Sequence, residues 1–294
     1  MKIIFIGSVE FSLSALRHLV LLDANIVGVC TLKISTFNSD HIDLKNYCDE
    51  NEIPNIYAND INSVDTLEWI RKKSPDVIFC FGWSRLIKSE LLVVPKLGVI
   101  GFHPAALPAN RGRHPIIWAL VLGLQKTAST FFFMDDGFDS GDILSQEEIL
   151  IVKDDDARTL YNKITRIALN QISDFMPKLA KKTFLRVKQN QENANSWRKR
   201  NKFDGRIDWR MSAESIFNLV RGLTFPYPGA YFLLGDKEFR VWKASVISNQ
   251  DLNIEPGKVL IKTGEVIVVK CGSDAISLLH TDPLLNIGIG EYLL

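Results

Sequence analysis

The sequence lacks several things that would have fixed its class at once. No stretch of about 18 consecutive apolar residues occurs, so it offers no transmembrane helix. Cysteine is scarce. Cys30, Cys48, Cys80 and Cys271 lie far apart and none sits in a C-x-x-C pair. The spacing therefore encodes neither a disulfide framework nor a zinc site, and a reducing cytoplasm fits. Charge of one sign is also lacking. The 35 Lys and Arg against 34 Asp and Glu leave a net charge of +1. That balance argues against binding nucleic acid through broad charge, which needs clustered cations, but leaves a local basic strip open. The apolar run Ile3–Ile6 is too short for a signal-peptide core and reads as a first buried strand. No internal repeat and no low-complexity segment is present.

What remains is an average globular composition, 46% hydrophobic and 23% charged over 294 residues. At about 150 residues per domain, two domains are expected. Residues 2–6, 26–31, 76–81, 97–103 and 127–134 read as buried strands, with helical periodicity over 11–22 and 63–73 between them. Such alternation predicts βαβ units and a mostly parallel, Rossmann-like sheet, an α/β class. Ligands of such sheets bind beyond the carboxyl ends of the strands. Chemistry is therefore expected just after Phe81, Phe102 and Met134. A long helix follows Asp154–Asp156, with a stripe from Leu160 to Leu179 that Pro177 is expected to kink or end. The polar stretch 190–196 reads as the start of a linker. Beyond it come an amphipathic helix over 212–223 and short strands with tight turns, a small β domain that reads as a barrel.

Three loops hold the residues able to do chemistry. The first, GFHPAALPANRGRHPII at 101–117, packs two histidines, two arginines and an asparagine among three prolines, which stiffen it. His103 ends a strand, and histidine is the side chain whose unperturbed charge change lies nearest neutral pH. The second, DDGFDSGD at 135–142, lacks the longer ligand series of a calcium loop. Its carboxylates are placed to pair with an imidazole at a neighbouring strand end, which fixes the tautomer and raises the pKa of the ring. The third is CFGWSRLI at 80–87, where Gly82 lets the backbone approach a ligand. No cluster suggests a metal.

Together, the opening MKIIFIGSVEF, the HPxxLPxxRG pattern at 103–112 and the DxGxDSG pattern at 135–141 resemble the folate-dependent formyltransferase family. The resemblance continues through DGRIDW at 204–209 and LVRGLTFPYPGAYF at 219–232, so it covers nearly the whole chain in order. That family includes methionyl-tRNA formyltransferases and nucleotide-sugar N-formyltransferases. The resemblance implies a Rossmann-like catalytic domain over 1–200 binding N10-formyltetrahydrofolate and an OB-like β domain over 201–294. It maps the family's catalytic His onto His103 and its Asp onto Asp139. It places the folate against Phe81, Gly82, Leu86, Ile87, Asp135, Asp136 and Gly137. It also implies a cis peptide bond at Leu107–Pro108.

One departure stands out. The family carries an Asn two residues before the His, and this chain has Gly101 there. Losing a preorganised oxyanion donor typically costs about 2.7–4 kcal/mol in the transition state. Asn110, His114 or a backbone amide near Gly101 are the replacements to consider. The departure keeps open a formyl-folate hydrolase or a non-catalytic folate-binding homologue. The acceptor is expected to be a nucleotide-linked amino sugar of surface polysaccharide synthesis, with methionyl-tRNA as the alternative. The six cations of 197–210 suit a diphosphate as well as an RNA backbone. For the sugar, Trp83 and Arg85 are expected as base platform and diphosphate donor, with Ser84 and Arg198 behind them and Gly7, Ser8 and Tyr227 as further contacts. Partners are then small molecules, with a homodimer through the β domains left open.

Overall fold

A computed structural model of the chain describes residues 1–36 and 38–293, so Leu294 of the expected second domain lies outside the described residues. The first part of the chain forms β1 (Ile3–Ile6), α1 (Glu10–Leu21), β2 (Ile26–Thr31), α2 (Lys45–Glu50), β3 (Asn55–Tyr57), α3 (Val64–Lys73), β4 (Val77–Cys80), α4 (Ser89–Leu92) and β5 (Val99–His103). Then follow β6 (Arg111–Gly112), α5 (Pro115–Val121), β7 (Lys126–Phe133), β8 (Ile143–Leu150), α6 (Ala157–Lys181) and β9 (Ser196–Trp197). The rest is α7 (Ala213–Leu223), β10 (Ala230–Leu234), β11 (Lys237–Ile247), β12 (Val259–Thr263), β13 (Val266–Lys270) and β14 (Ala275–Asp282). The chain divides into two compact units. One holds Met1–Gly112, Thr127–Ile149 and Asn162–Trp197, and the other holds Arg113–Lys126, Leu150–Tyr161 and Arg198–Leu294.

The first unit is built on a seven-stranded sheet in the order β3-β2-β1-β4-β5-β7-β8. β1 lies parallel between β2 and β4, and β5 continues parallel to β4. β1 is buried along its whole length, as a continuous apolar run covered on both faces should be. The helices obey their ends. Ser63 caps α3 by accepting the Thr66 N–H, and Arg71, Lys72 and Lys73 sit in its last turn, where cations complement the helix dipole. β7 breaks the parallel pattern and runs antiparallel to β5.

Alternation along β5 assigns its side chains to two faces. Phe102 turns to an aromatic face, stacking 4.1 Å from Phe11 and meeting Phe131 at 4.9 Å. Phe81, Phe131 and Phe175 extend that face with centroid distances of 5.1 and 5.0 Å. Gly101 and His103 therefore turn to the other face. α6 departs from the sequence expectation, since it runs unbroken through Pro177. Phe175 and Leu179 are both buried, so the apolar stripe continues packing on either side of the proline and outweighs the one hydrogen bond it removes.

In the second unit, five antiparallel strands take the order β10-β11-β14-β13-β12. Ser212 caps α7 through the Ser215 N–H. Ile216, Leu219, Val220 and Leu223 of this helix share a core with Val241, Val269 and Leu278 of the sheet. α5 lies close enough to α7 that a Cβ on Gly222 would stand 3.1 Å from Val121 and 3.3 Å from Leu120.

All four cysteines are free and buried. Burial pushes the thiols of Cys48, Cys80 and Cys271 up to about 12 and that of Cys30 further up, with Cys80 adding to it. Thiolate is the reactive form. A chromogenic disulfide reagent at pH 8 is therefore expected to titrate essentially no thiol in the native protein and all four in denaturant. Fast native labelling of any one would contradict this packing.

Candidate active site

His103 is the last residue of β5 and is 5% exposed. Its Nε2 lies 2.8 Å from the carbonyl oxygen of Asn110. A carbonyl only accepts, so Nε2 carries the hydrogen and the neutral ring keeps a lone pair on Nδ1. Nδ1 lies 3.7 Å from Oδ2 of Asp139, an ion-pair distance beyond hydrogen-bond length. Were the ring protonated, the pair would attract by about 4 kcal/mol at an effective dielectric of 20, before desolvation is set against it. His103 thus has one nitrogen committed to the protein and one facing a carboxylate.

The loop after His103 is held rigid by more than its prolines. The Thr130 hydroxyl donates to the Ala105 carbonyl at 2.7 Å, and Gln146 Nε2 donates to Leu107 O at 2.8 Å and to Thr130 Oγ1 at 2.9 Å. The Leu107–Pro108 peptide is cis. Asn110 then takes a left-handed φ of 66°, which presents its carbonyl to His103.

Asp139 reaches His103 by an unexpected route. The carboxyl-end rule placed the loops after Phe102 and Met134 at one rim, but β7 is antiparallel, so its carboxyl end lies beside the start of β5. Ile100 pairs with Phe133, and Met134 N–H donates to Val99 O at 2.7 Å. The loop after Met134 must then fold back to bring Asp139 to the far end of β5. The face it covers is the one Gly101 leaves bare. A Cβ on Gly101 would stand 3.0 Å from Met134 Cγ and 3.0 Å from the Phe132 ring. The space of the missing Asn side chain is therefore filled by neighbours.

The loop is fastened at several points. Asp135 Oδ1 accepts the Gly137 N–H at 3.0 Å and the Ser140 hydroxyl at 2.8 Å. The Gly112 N–H donates to Asp139 Oδ2 at 2.9 Å. Gln189 Nε2 donates to the carbonyls of Asp139 at 2.8 Å and Gly141 at 2.7 Å. The stretch 190–196, read as a linker, also joins in. β9 pairs parallel with β6, and Asn195 Oδ1 accepts the Asn110 N–H at 2.6 Å. Sequence reasoning missed Gln189 and Asn195 because it weighed only the lack of apolar residues. The run of amides from Gln189 to Asn195 was the available signal, since an amide both donates to and accepts from backbone.

The remaining expected residues are distributed more widely. Gly7 and Ser8 are buried under Ser12, whose hydroxyl accepts the Ser8 and Val9 N–H groups and donates to Phe81 O at 2.6 Å. The Phe81 ring belongs to the aromatic core, and Ile87 packs in the opposite apolar core. Gly82 takes a φ of 71° at this crossing. Leu86 is 59% exposed, and Trp83 Nε1 is buried without a hydrogen-bond partner among the described residues. Ser84 donates to Asn38 Oδ1 at 3.0 Å, and Arg85 donates to Asn59 O. Asp136 is exposed.

His114, Arg198 and Tyr227 belong to the second unit. His114 precedes α5 with a φ of 56°. Burial, with Arg200, Arg113 and Lys199 behind it, holds its pKa below the usual histidine value. Arg198 forks onto Asp204, and both Arg198 and Arg200 lie over the Trp118 ring, at 5.3 and 4.6 Å. Lys202 pairs with Glu238 at 2.7 Å and Arg210 with Asp208 at 2.5 Å. Tyr227 packs against the apolar core of the sheet.

Comparison with known proteins gives concordant matches. A family described as Formyl transferase matches residues 1–174, and one described as Formyl transferase, C-terminal domain, matches 199–284. The methionyl-tRNA formyltransferase of Caldanaerobacter subterraneus subsp. tengcongensis is 32% identical over 305 residues, covering 100% of this chain and 96% of that one. The bifunctional polymyxin resistance protein ArnA of Wigglesworthia glossinidia brevipalpis is 31% identical over 282 residues, covering 95% of this chain and 42% of that protein. Among solved structures, the N-formyltransferase from Helicobacter canadensis in complex with folinic acid and dTDP-3-aminofucose superposes with a TM-score of 0.72. It is 16% identical and covers 95% of this chain and 98% of that one, so this likeness bears on the fold.

The packing around Gly101 is open to test. Gly101→Asn forces extra volume against Phe132 and Met134 and is expected to cost about 1–3 kcal/mol of stability. The double variant with Met134→Ala should recover more than half of that loss in denaturant unfolding. Unchanged stability of the single variant would mean that this face is open.

Proposed function

The chain belongs to the formyl transferase family, and from that premise we propose that it moves the formyl group of N10-formyltetrahydrofolate onto the amine of a nucleotide-linked amino sugar. The co-substrate fits what residues 81–87 leave unused. Leu86 offers an exposed apolar side chain to a flat ring. Gly82, with Asp135, Asp136 and Gly137 of the folded-back loop, would complete that cradle, and Phe81 and Ile87 would support it from the core. When bound, the formyl folate supplies an already activated one-carbon electrophile.

His103 receives the proton that the attacking amine must lose, at Nδ1, because Nε2–H is committed to Asn110. Asp139 stabilises the imidazolium that results from 3.7 Å away. The same proton then passes to the departing folate nitrogen, so the ring ends as it began. In place of an Asn at 101, the Asn110 side chain is the preferred donor to the developing oxyanion, because its own carbonyl is already docked on His103.

One observation carries the choice of acceptor. Half of the six cations after Trp197 are already paired, Arg198 with the Asp204 carboxylate, Lys202 with Glu238 of β11 and Arg210 with Asp208. A strip occupied in this way makes a poor track for an RNA backbone. The sugar named with the Helicobacter canadensis enzyme supports the same choice. On this reading Trp83, Ser84 and Arg85 meet the nucleotide, and Gly7 and Ser8 support it from below. The sugar would serve surface polysaccharide synthesis in a reducing cytoplasm. Methionyl-tRNA is the second reading, favoured by the full-length similarity to a methionyl-tRNA formyltransferase.

Two measurements check this. His103→Ala and Asp139→Ala are each expected to lower kcat by about 10² or more with the fold intact, and near-normal turnover in either would remove that residue from the chemistry. Incubation with formyl folate and a panel of 3-amino and 4-amino nucleotide sugars, methionyl-tRNA and a no-acceptor control should yield formylated sugar by mass spectrometry. Formyl-methionyl-tRNA alone would support the second reading, and folate turnover without acceptor would mean hydrolysis.

A further inference from the structure

Two residues flank the ring of His103, and both hold left-handed backbone. Asn110 has a φ of 66° and receives Nε2–H, while Asp139 has a φ of 52° and faces Nδ1. Non-glycine residues rarely stay in this region unless their surroundings over-determine them. Asp139 is held through its carboxylate by the Gly112 N–H, and both residues are also held from the short stretch of chain just before β9.

Gln189 is 8% exposed, and its side-chain amide is fully used. Its Nε2 donates to the carbonyls of Asp139 and Gly141, at 2.8 and 2.7 Å. Its Oε1 accepts from Arg111 Nη2 at 2.7 Å and Nε at 3.2 Å, and Arg111 Nη1 donates onward to Gln191 Oε1 at 3.0 Å. The Arg111 fork fixes which end of the amide is oxygen, so the N–H pair must face the loop. Asn195 acts on the other side. Its Oδ1 accepts the Asn110 N–H at 2.6 Å, and its carbonyl accepts the Arg111 N–H at 3.0 Å. The carbonyl that fixes the His103 tautomer is therefore anchored one bond back by Asn195.

We propose that Gln189 and Asn195 are the positioning residues of this site, Gln189 setting Asp139 against Nδ1 and Asn195 holding the Nε2–H tautomer of His103. The proposal rests on the reading of His103 and Asp139 as the proton-handling pair. Neither amide touches the reacting atoms.

The test uses the full-length protein with isosteric and truncating variants. Gln189→Glu keeps an acceptor for Arg111 but turns oxygen toward the two carbonyls. It should keep the wild-type melting temperature within a few degrees, lower kcat by about 10-fold to 100-fold, and leave both KM values within about twofold. Gln189→Ala should lower kcat similarly. Imidazole nitrogen NMR on labelled protein should show His103 as a single Nε2–H tautomer in the wild type and a mixture in Asn195→Ala. The NMR readout needs no substrate, so it scores the positioning role even if the wild type transfers no formyl group, an outcome that would instead overturn the functional reading. Wild-type kcat in Gln189→Glu, or an unchanged tautomer in Asn195→Ala, would overturn the corresponding half of the proposal. A loss of kcat matched by a general loss of folded protein in both Gln189 variants would overturn the positioning role in favour of a purely structural one.

Discussion

The hydrogen bond from His103 Nε2 to the carbonyl of Asn110 constrains everything else in the site. It settles which nitrogen bears the hydrogen, and so which nitrogen is free to take one. It also demands that Asn110 stand in a left-handed conformation at the end of a loop held to β7 and β8 by Thr130 and Gln146. The imidazole is thereby fixed in place and in protonation pattern before any substrate arrives. On the proposed reading, such preorganisation lets a positioned base act without paying reorganisation at the moment of reaction.

The carboxylate opposite depends on sheet topology. Because β7 runs against β5, the loop that carries Asp139 starts at the wrong end of the strand and must cross its face. Gly101 leaves that face without a side chain, and Met134 and Phe132 occupy the room. A larger residue at 101 would compete with the same volume that Met134 and Phe132 fill.

Charge follows a similar logic in the second unit. A strip that looks basic in the sequence is answered in part by carboxylates, two of its own and Glu238 of β11. Asp204 accepts the Arg198 fork, and its carboxyl is held well below the usual range by that bond together with the Asn201 N–H. Burial lowers the pKa of Arg200, which lies against Trp118 and the Asp204 carbonyl. The segment keeps more cations than carboxylates of its own, and one of its pairs reaches out of it, from Lys202 to Glu238 of β11.

Periodicity and composition by themselves determined the strands read at 2–6, 26–31 and 97–103, observed at 3–6, 26–31 and 99–103, the helices capped by Ser63 and Ser212, and the residue types at the strand ends. These are local properties, since a buried strand or a capped helix is written in the residues that form it. The motifs added the family through His103, Asp139 and the segments around Asp204 and Tyr227. Local reading failed where the outcome depended on partners distant in sequence. The direction of β7, the continuity of α6 through Pro177 and the part played by Gln189 and Asn195 were decided only by tertiary structure. A strand takes its direction from the neighbour it pairs with. A polar stretch becomes a wall rather than a linker only when backbone groups elsewhere need its amides.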